Sequence, residues 1–257
     1  MTDPRSSLDL CVAIIVCDAQ RTIERTIRSV NGLARRVLVV DSGSTDRTPT
    51  ICRELGTEVI HHDWEGYGRQ KQFALELCDS EWVLCLDADE SLDNELIDAV
   101  RHAVIANDQS IDAFAVNRRF RLGTYELRHT WQPEWKVRLA RRDRARWVGQ
   151  YHERLEVSGR VERLGGVLIH DAVADVKEFI HKQAMHGVQA AQVYYDQGTR
   201  GSVMQLLISP PATVFKQLVL RSAWRDGWLG WVAAFGSGIH TTAKHMRLLE
   251  LTRGSNS

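Results

Sequence analysis

At 257 residues the chain is long enough for one large domain, or for one domain with an appendage, and its 44% apolar and 26% charged content is that of an ordinary globular protein. Its 33 basic and 33 acidic residues balance, so bulk electrostatics calls for neither nucleic acid nor an acidic partner. The balance is uneven along the chain. From Arg200 to the end, seven Lys/Arg stand against Asp226 and Glu250, a local +5 that suits either an anionic surface or a solvated helix face.

Strand and helix signals alternate over the first hundred residues. LCVAIIVC, residues 10–17, is a continuous apolar run, as expected of a strand buried on both faces. Ile23, Ile27 and Val30 recur at helical spacing, and RVLVV, residues 36–40, is a second strand ending on Asp41. Thr48-Pro49 opens a helix that Gly56 stops. EVIH, residues 58–61, is a third strand; Phe73, Ala74 and Leu77 mark a helix, Trp82 to Leu86 a fourth strand, and Leu96, Ile97, Val100 and Val104 a further helix. This alternation predicts an α/β fold, a mostly parallel sheet wrapped by helices, with ligands at the carboxyl ends of the strands. Asp18, Asp41 and Asp87 each follow such a strand.

Between about residues 107 and 170 arginines and tryptophans crowd in, and a mixed β segment with long loops fits best. A long helix is predicted from about Val176 to Asp196, ended by Gly198, with further helices after Pro211 and near Trp228. The five cysteines form no CxxC pair and read as small buried hydrophobes in a reducing compartment. MTDPRSSLDL lacks a charged-then-apolar signal pattern, and no stretch is expected to reach the ~18 apolar residues of a spanning helix, so the expected location is cytoplasmic.

Three stretches carry chemistry. LCLDADES, residues 84–91, ends a strand with two aspartates at i and i+2, whose side chains point the same way. Asp87 and Asp89 repel unless something positive lies between them, and a divalent cation held by hard oxygen ligands, Mg²⁺ or Mn²⁺, answers that need; capping a helix that starts near Leu92 is the alternative. VLVVDSGSTDRT, residues 37–48, ends a strand in a Gly/Ser/Asp turn that can hold a base or ribose, or that simply makes the turn and caps the next helix. EGYGRQKQFAL, residues 65–75, sets Arg69 and Lys71 at a helix start, where backbone amides and cations favour phosphate.

In order and spacing over residues 10 to 100, these stretches resemble the inverting glycosyltransferases of family 2, with the GT-A fold. The resemblance implies that Asp41 reads the nucleotide base, that Asp87 contacts ribose and nucleotide, and that Asp89 holds the metal bridging the diphosphate. Asp18, Gly43, Arg69, Lys71 and Ala88 complete the expected nucleotide-sugar site. RLARRDRARWVGQYHERL, then GGVLIHD and RDGWLGWVAAF, is similar to the bacterial branch that glucosylates the lipopolysaccharide inner core. One departure is CDA (Cys17, Asp18, Ala19) where many members of the family have Tyr-Asn-Glu, and it bears on the contact to the base.

Inversion needs a base on the face opposite the nucleotide, and Glu153 is the candidate, a surface partner for an arginine being its alternative. His170 is expected as a second metal ligand, or as a structural histidine. Arg138 and His152 are expected on the acceptor, where a guanidinium fork matches phosphate oxygens. The expected organisation is a catalytic domain over 1–172, with 1–106 for the nucleotide sugar and 107–172 for the acceptor, followed by a helical extension over 173–257. Trp224, Trp228 and Trp231 beside Lys216, Arg221 and Arg225 suit a helix lying on an anionic membrane surface. The expected partners are therefore a UDP-sugar donor, a lipid-linked saccharide acceptor and the inner-membrane face of a bacterium, with no nucleic acid. The same fold also serves peptide, teichoic acid and other polysaccharide acceptors. A non-catalytic membrane-docking scaffold is the rival of another class. A sugar-phosphate nucleotidyltransferase would open with a GxGTRLxP-like loop, which CDAQRTIER does not resemble.

Overall fold

The structure is a computed structural model that describes residues 8–149 and 153–254. The expected alternation is present: β1 (Leu8–Val16), α1 (Ile23–Ser29), β2 (Ala34–Asp41), α2 (Thr48–Glu54), β3 (Glu58–His61), α3 (Tyr67–Glu76) and β4 (Trp82–Asp87). Then follow β5 (Glu90–Leu92), α4 (Asn94–Ala106), β6 (Ala113–Leu122), β7 (Tyr125–Glu126), β8 (Trp135–Arg141), β9 (Ala145–Val148), β10 (Arg154–Val157) and β11 (Val161–Val173). Three helices end the chain: α5 (Val176–Asp196), α6 (Val203–Phe215) and α7 (Gly227–Gly254).

The chain forms two compact units. One holds residues up to Arg119 together with Glu134–His170; the other holds Phe120–Pro133 and everything from Asp171 onward. The second unit thus takes in the segment 120–133, which lies within the expected acceptor-binding half, 107–172.

The main sheet runs β3-β2-β1-β4-β8-β6-β11-β5, with β7 paired to β6, while β9 and β10 form a separate ribbon. β1 pairs in parallel with both β2 and β4, and β2 with β3; β8 joins β4 antiparallel. Side chains of β1 alternate between two cores. Leu10, Val12, Ile14 and Val16 pack with α1 and α4, whereas Cys11, Ala13 and Ile15 pack on the opposite face with Ala74 and Leu75 of α3. A strand covered on both faces has no polar side to write into its sequence, hence the continuous apolar run. Each fully buried Leu or Ile there is worth about 1.5–3 kcal/mol relative to exposure.

The register fixes the site. Asp41 lies opposite Val16 and Asp87 opposite Ile15, so the two acids close their strands at one edge of the sheet. α4 begins at Asn94, capped by Asp93, whose side chain accepts a hydrogen bond from Leu96 N–H at 2.8 Å. Asp87 and Asp89 therefore do not cap that helix, which removes one alternative for the pair. All five cysteines are free; Cys11, Cys52, Cys78 and Cys85 are buried, and Cys17, just past the end of β1, is exposed.

In the helical unit α7 lies between α5 and α6. Small residues permit the close approach: a Cβ on Gly236 would sit 2.4 Å from the Phe179 ring on α5, and one on Gly238 would sit 2.7 Å from Val214 on α6. α6 begins at Val203 under a Ser202 cap, eight residues before the predicted start, and contains Pro210 and Pro211. With the π-helical turn Lys216–Leu220 it makes an 18-residue stretch, Val203–Leu220, of mean hydropathy 1.3. By length and composition that stretch is apolar enough to cross a membrane. This corrects the expectation that no stretch is long and apolar enough to span: Gln205, Ser209, Thr213 and Lys216 interrupt the apolar residues, yet the mean over the stretch stays high.

His240 and His245 on α7 are held below the ordinary histidine value, first by burial and then by the neighbouring Lys244 cation. The unfolded chain then binds more protons than the folded one below about pH 6.5, so these groups stabilise the unit above that pH, and the contribution is lost as pH falls toward their folded values. Melting of the protein is expected to drop between about pH 7.5 and 5.5, with a smaller drop in His240→Gln/His245→Gln. An unchanged pH dependence in that double variant would refute the assignment.

Candidate functional site

The turn after β2 is tied by its own acids. Asp41 is buried and accepts from the N–H groups of Gly43 at 3.2 Å and Ser44 at 3.1 Å. Gly43 takes φ +96°, which a side chain would strain. Asp18, itself at φ +46°, accepts from Thr45 N–H at 2.7 Å and donates its own N–H to Ser44 Oγ at 2.9 Å. The two loops that follow β1 and β2 are thereby locked together at the carboxyl edge of the sheet. On the same edge, Gln70 of α3 donates to Ser42 Oγ at 2.9 Å.

The end of β4 carries a denser network. Asp87 Oδ1 lies 2.6 Å from Lys71 Nζ, and its Oδ2 lies 2.8 Å from Arg138 Nη2. Arg138 also donates to Glu90 at 2.6 Å, and Glu90 Oε2 in turn accepts from the Asp87 N–H at 3.1 Å. Glu90 is fully buried and receives a further contact from Arg118, 3.4 Å away, which is itself paired with Glu134 at 2.7 Å. Burial alone would raise the Asp87 carboxyl, but the Arg138 guanidinium and the Lys71 ammonium outweigh it and hold Asp87 well below the usual carboxylate range. The repulsion expected between Asp87 and Asp89 is thus relieved at Asp87 by two protein cations.

Lys71 reaches further. Its ammonium sits 3.0 Å from Glu153 Oε1 and 4.8 Å from the centroid of the Trp147 ring. One buried cation therefore bridges the first aspartate of the Asp-Ala-Asp sequence and the carboxylate singled out as a base. Gly68, one turn back on α3, supports the arrangement: a Cβ there would meet the Gly149 carbonyl at 2.1 Å, so only glycine admits the close approach of Gly149.

Asp89 has a different partner. β5 pairs antiparallel with β11, with Glu90 opposite His170. This register brings His170 Nε2 to 3.4 Å from Asp89 Oδ2. Burial raises the Asp89 carboxyl, and the hydrogen bond and charge of His170 more than reverse that, leaving it lowered. A half-exposed carboxylate beside an imidazole is a donor pair that suits a divalent cation with positions left for substrate oxygens. Among the described residues no group of three or more His, Cys, Asp or Glu forms a metal cluster. Asp89 and His170 are the two described residues that would hold a cation there.

The other expected site residues lie as follows. Ala88 accepts from Thr26 Oγ1 at 3.0 Å through its carbonyl, anchoring the turn between the two aspartates. Arg69 is 72% exposed, with Glu65 3.9 Å away, and is open to an anion. Arg138, expected on an acceptor phosphate, is instead buried and spent on Asp87 and Glu90. His152 lies outside the described residues. Glu90 and Trp147 were not singled out from the sequence. Glu90 stood in plain view in LCLDADES, but only the register shows that it faces Arg138 rather than solvent.

Residues 11–153 match Glycosyl transferase family 2. The chain belongs to that family and has its GT-A arrangement, a helix-flanked sheet that is parallel over β3-β2-β1-β4 and continues through the antiparallel β8 and β6, with acids at the carboxyl edge of the parallel strands. It is 27% identical over 241 residues to the lipopolysaccharide core biosynthesis glycosyltransferase LpsC of Rhizobium meliloti (strain 1021), covering 91% of this chain and 89% of that protein. This agrees with the branch that the sequence resembled. Among solved structures, it is similar to glucosyl-3-phosphoglycerate synthase from Mycobacterium tuberculosis in complex with Mn²⁺, UDP and phosphoglyceric acid (TM-score 0.49, 17% identity, 77% of this chain and 82% of that one). It is also similar to S. aureus TarS 1–349 in complex with UDP-GlcNAc (TM-score 0.47, 14% identity, 90% of each chain).

Proposed function

We propose that this glycosyltransferase moves a hexose, glucose from UDP-glucose first among the candidates, with inversion onto a lipopolysaccharide core sugar or another lipid-linked envelope acceptor at the cytoplasmic face of a bacterial inner membrane. The observation that carries the reading is the shared ammonium: Lys71 joins Asp87, 2.6 Å away, to Glu153, 3.0 Å away, so a strand-end acid and a base candidate belong to one site. The relative LpsC supports the acceptor class.

In this mechanism Glu153 accepts the proton of the acceptor hydroxyl while that oxygen bonds to the anomeric carbon. The bond from the same carbon to the diphosphate oxygen breaks, and the electron pair leaves with UDP. Asp87, clamped by Arg138 and Lys71, presents a fixed carboxylate to the ribose side of the donor. Asp18, Asp41 and Gly43 shape the turn that receives the base, and Ala88 holds the spacing between the aspartates. Asp89 and His170 are the residues that would hold Mg²⁺ or Mn²⁺, which when bound supplies electrostatic stabilisation of the departing diphosphate. Arg69 lies at the start of α3, where a phosphate is also favoured by the backbone amides.

The test is donor hydrolysis across a panel of UDP- and GDP-sugars, with and without Mn²⁺, beside Asp89→Ala. The expected result is metal-dependent nucleotide release from one UDP-sugar, lost in the variant by about 10²-fold or more. Failure of UDP to bind at all would end the transferase reading.

A further inference from the structure

The helical unit carries a surface that the transfer chemistry does not use. α6 exposes Met204, Leu207, Ile208 and Phe215, and the turns that follow expose Leu220 and Trp224. In the stretch Val203–Leu220 no residue is fully buried. A run of large apolar side chains this long, with nothing from its own unit over it, marks an interaction surface rather than scattered exposure.

Its charge indicates what covers it. Lys216, Arg221 and Arg225 are exposed among these apolar residues, and among the described residues no carboxylate pairs with them. Asp226 is the single acid between residues 197 and 249. Its carboxylate is already spent, accepting from the N–H groups of Arg128 at 2.8 Å and Thr130 at 2.7 Å and from the Thr130 hydroxyl at 2.8 Å. The surface therefore offers apolar rings and uncompensated cations together, which matches the acyl boundary and the anionic headgroups of a bilayer.

The packing of α6 decides between crossing and lying flat. α6 runs along α7: Thr241 Oγ1 donates to Thr213 Oγ1 at 3.3 Å, and near the other end the Gly201 N–H donates to Thr252 Oγ1 at 2.8 Å. The adjoining length of α7 carries His240, Lys244, His245 and Arg247. Spanning the bilayer with α6 would draw those groups into hydrocarbon, whereas lying along the surface keeps them out of it.

We infer that the 203–231 surface of the helical unit docks the protein on an anionic phospholipid bilayer, with α6 in the plane of the interface. This deepens the proposed reading, in which the acceptor is lipid-linked, and rests on it for its purpose.

The test uses the full chain with vesicles of phosphatidylglycerol and phosphatidylethanolamine, against vesicles of phosphatidylcholine. Flotation with the anionic vesicles is expected, weakening at high salt, with a blue shift of tryptophan emission. K216E/R221E/R225E should lose binding by ~100-fold, at about fivefold per cation, and Leu207→Gln/Trp224→Gln should lose the blue shift. Donor hydrolysis and melting temperature should be unchanged in both variants. Equal binding to both vesicle types, no binding to either, or a concentration-dependent dimer that hides the surface in solution would overturn the inference. Vesicle binding by a protein that does not bind UDP would instead remove the transfer reading and leave the docking standing.

Discussion

Replacing Glu153 by glutamine is expected to lower the transfer rate by about 10²–10⁴-fold while leaving UDP affinity unchanged, because a positioned base contributes on that order. The variant keeps shape and hydrogen-bonding reach and removes only the capacity to take a proton. Lys71 lies 3.0 Å from Glu153 Oε1, and the amide oxygen of glutamine can still accept from it, so the local geometry should survive. The loss should therefore appear in kcat with acceptor present, and not in nucleotide binding measured by calorimetry or thermal shift. Lys71→Met gives the contrasting pattern. It strips a partner from both Asp87 and Glu153, so binding and turnover should fall together. Full transfer activity in Glu153→Gln would sink the base assignment and move the search to another carboxylate.

Much of the first unit was legible because its determinants are local. A strand buried on both faces must be apolar throughout, so LCVAIIVC and WVLCLD announce themselves, and an acid at the end of such a run stands out against it. The register then turns those isolated acids into an edge, with Asp41 and Asp87 flanking the end of β1. What was not legible depends on distant pairings. Arg138 is expected from the sequence on an acceptor phosphate, and only the antiparallel placement of β8 beside β4 buries it against Asp87 and Glu90, 51 and 48 residues earlier in the chain. The segment 120–133 read as acceptor loop, but the Asp226 carboxylate collects the backbone N–H groups of residues 128 to 130 and ties the segment to the helices. α6 was misplaced for a different reason. A proline pair reads as a helix start, yet Ser202 caps the helix a full two turns earlier and the prolines are carried inside it.

Arg138→Met is expected to be the most destabilising single substitution at the site. The guanidinium serves two carboxylates at once, 2.8 Å from Asp87 and 2.6 Å from Glu90, and Glu90 is fully buried. Removing the cation leaves Glu90 with Arg118 at 3.4 Å as its remaining ion pair, so a buried charge loses its short contact. Breaking a buried pair from one side typically costs about 3–5 kcal/mol, far more than the pair is worth against a well-packed apolar replacement. For a chain of this size that corresponds to a fall in melting temperature of roughly 6–20 °C. The cost should be partly recoverable: Glu90→Gln in the Arg138→Met background removes the orphaned charge and should regain a substantial share of the lost stability. Arg138→Lys should fall between, because one ammonium reaches both acids less well than a planar fork. A melting temperature for Arg138→Met within about 2 °C of the parent would show that the cluster is solvated and that Arg138 does not hold Asp87 in place. The predicted pattern, a large loss with partial rescue by Glu90→Gln, would make Arg138 the fixed point from which the strand-end aspartate is aimed.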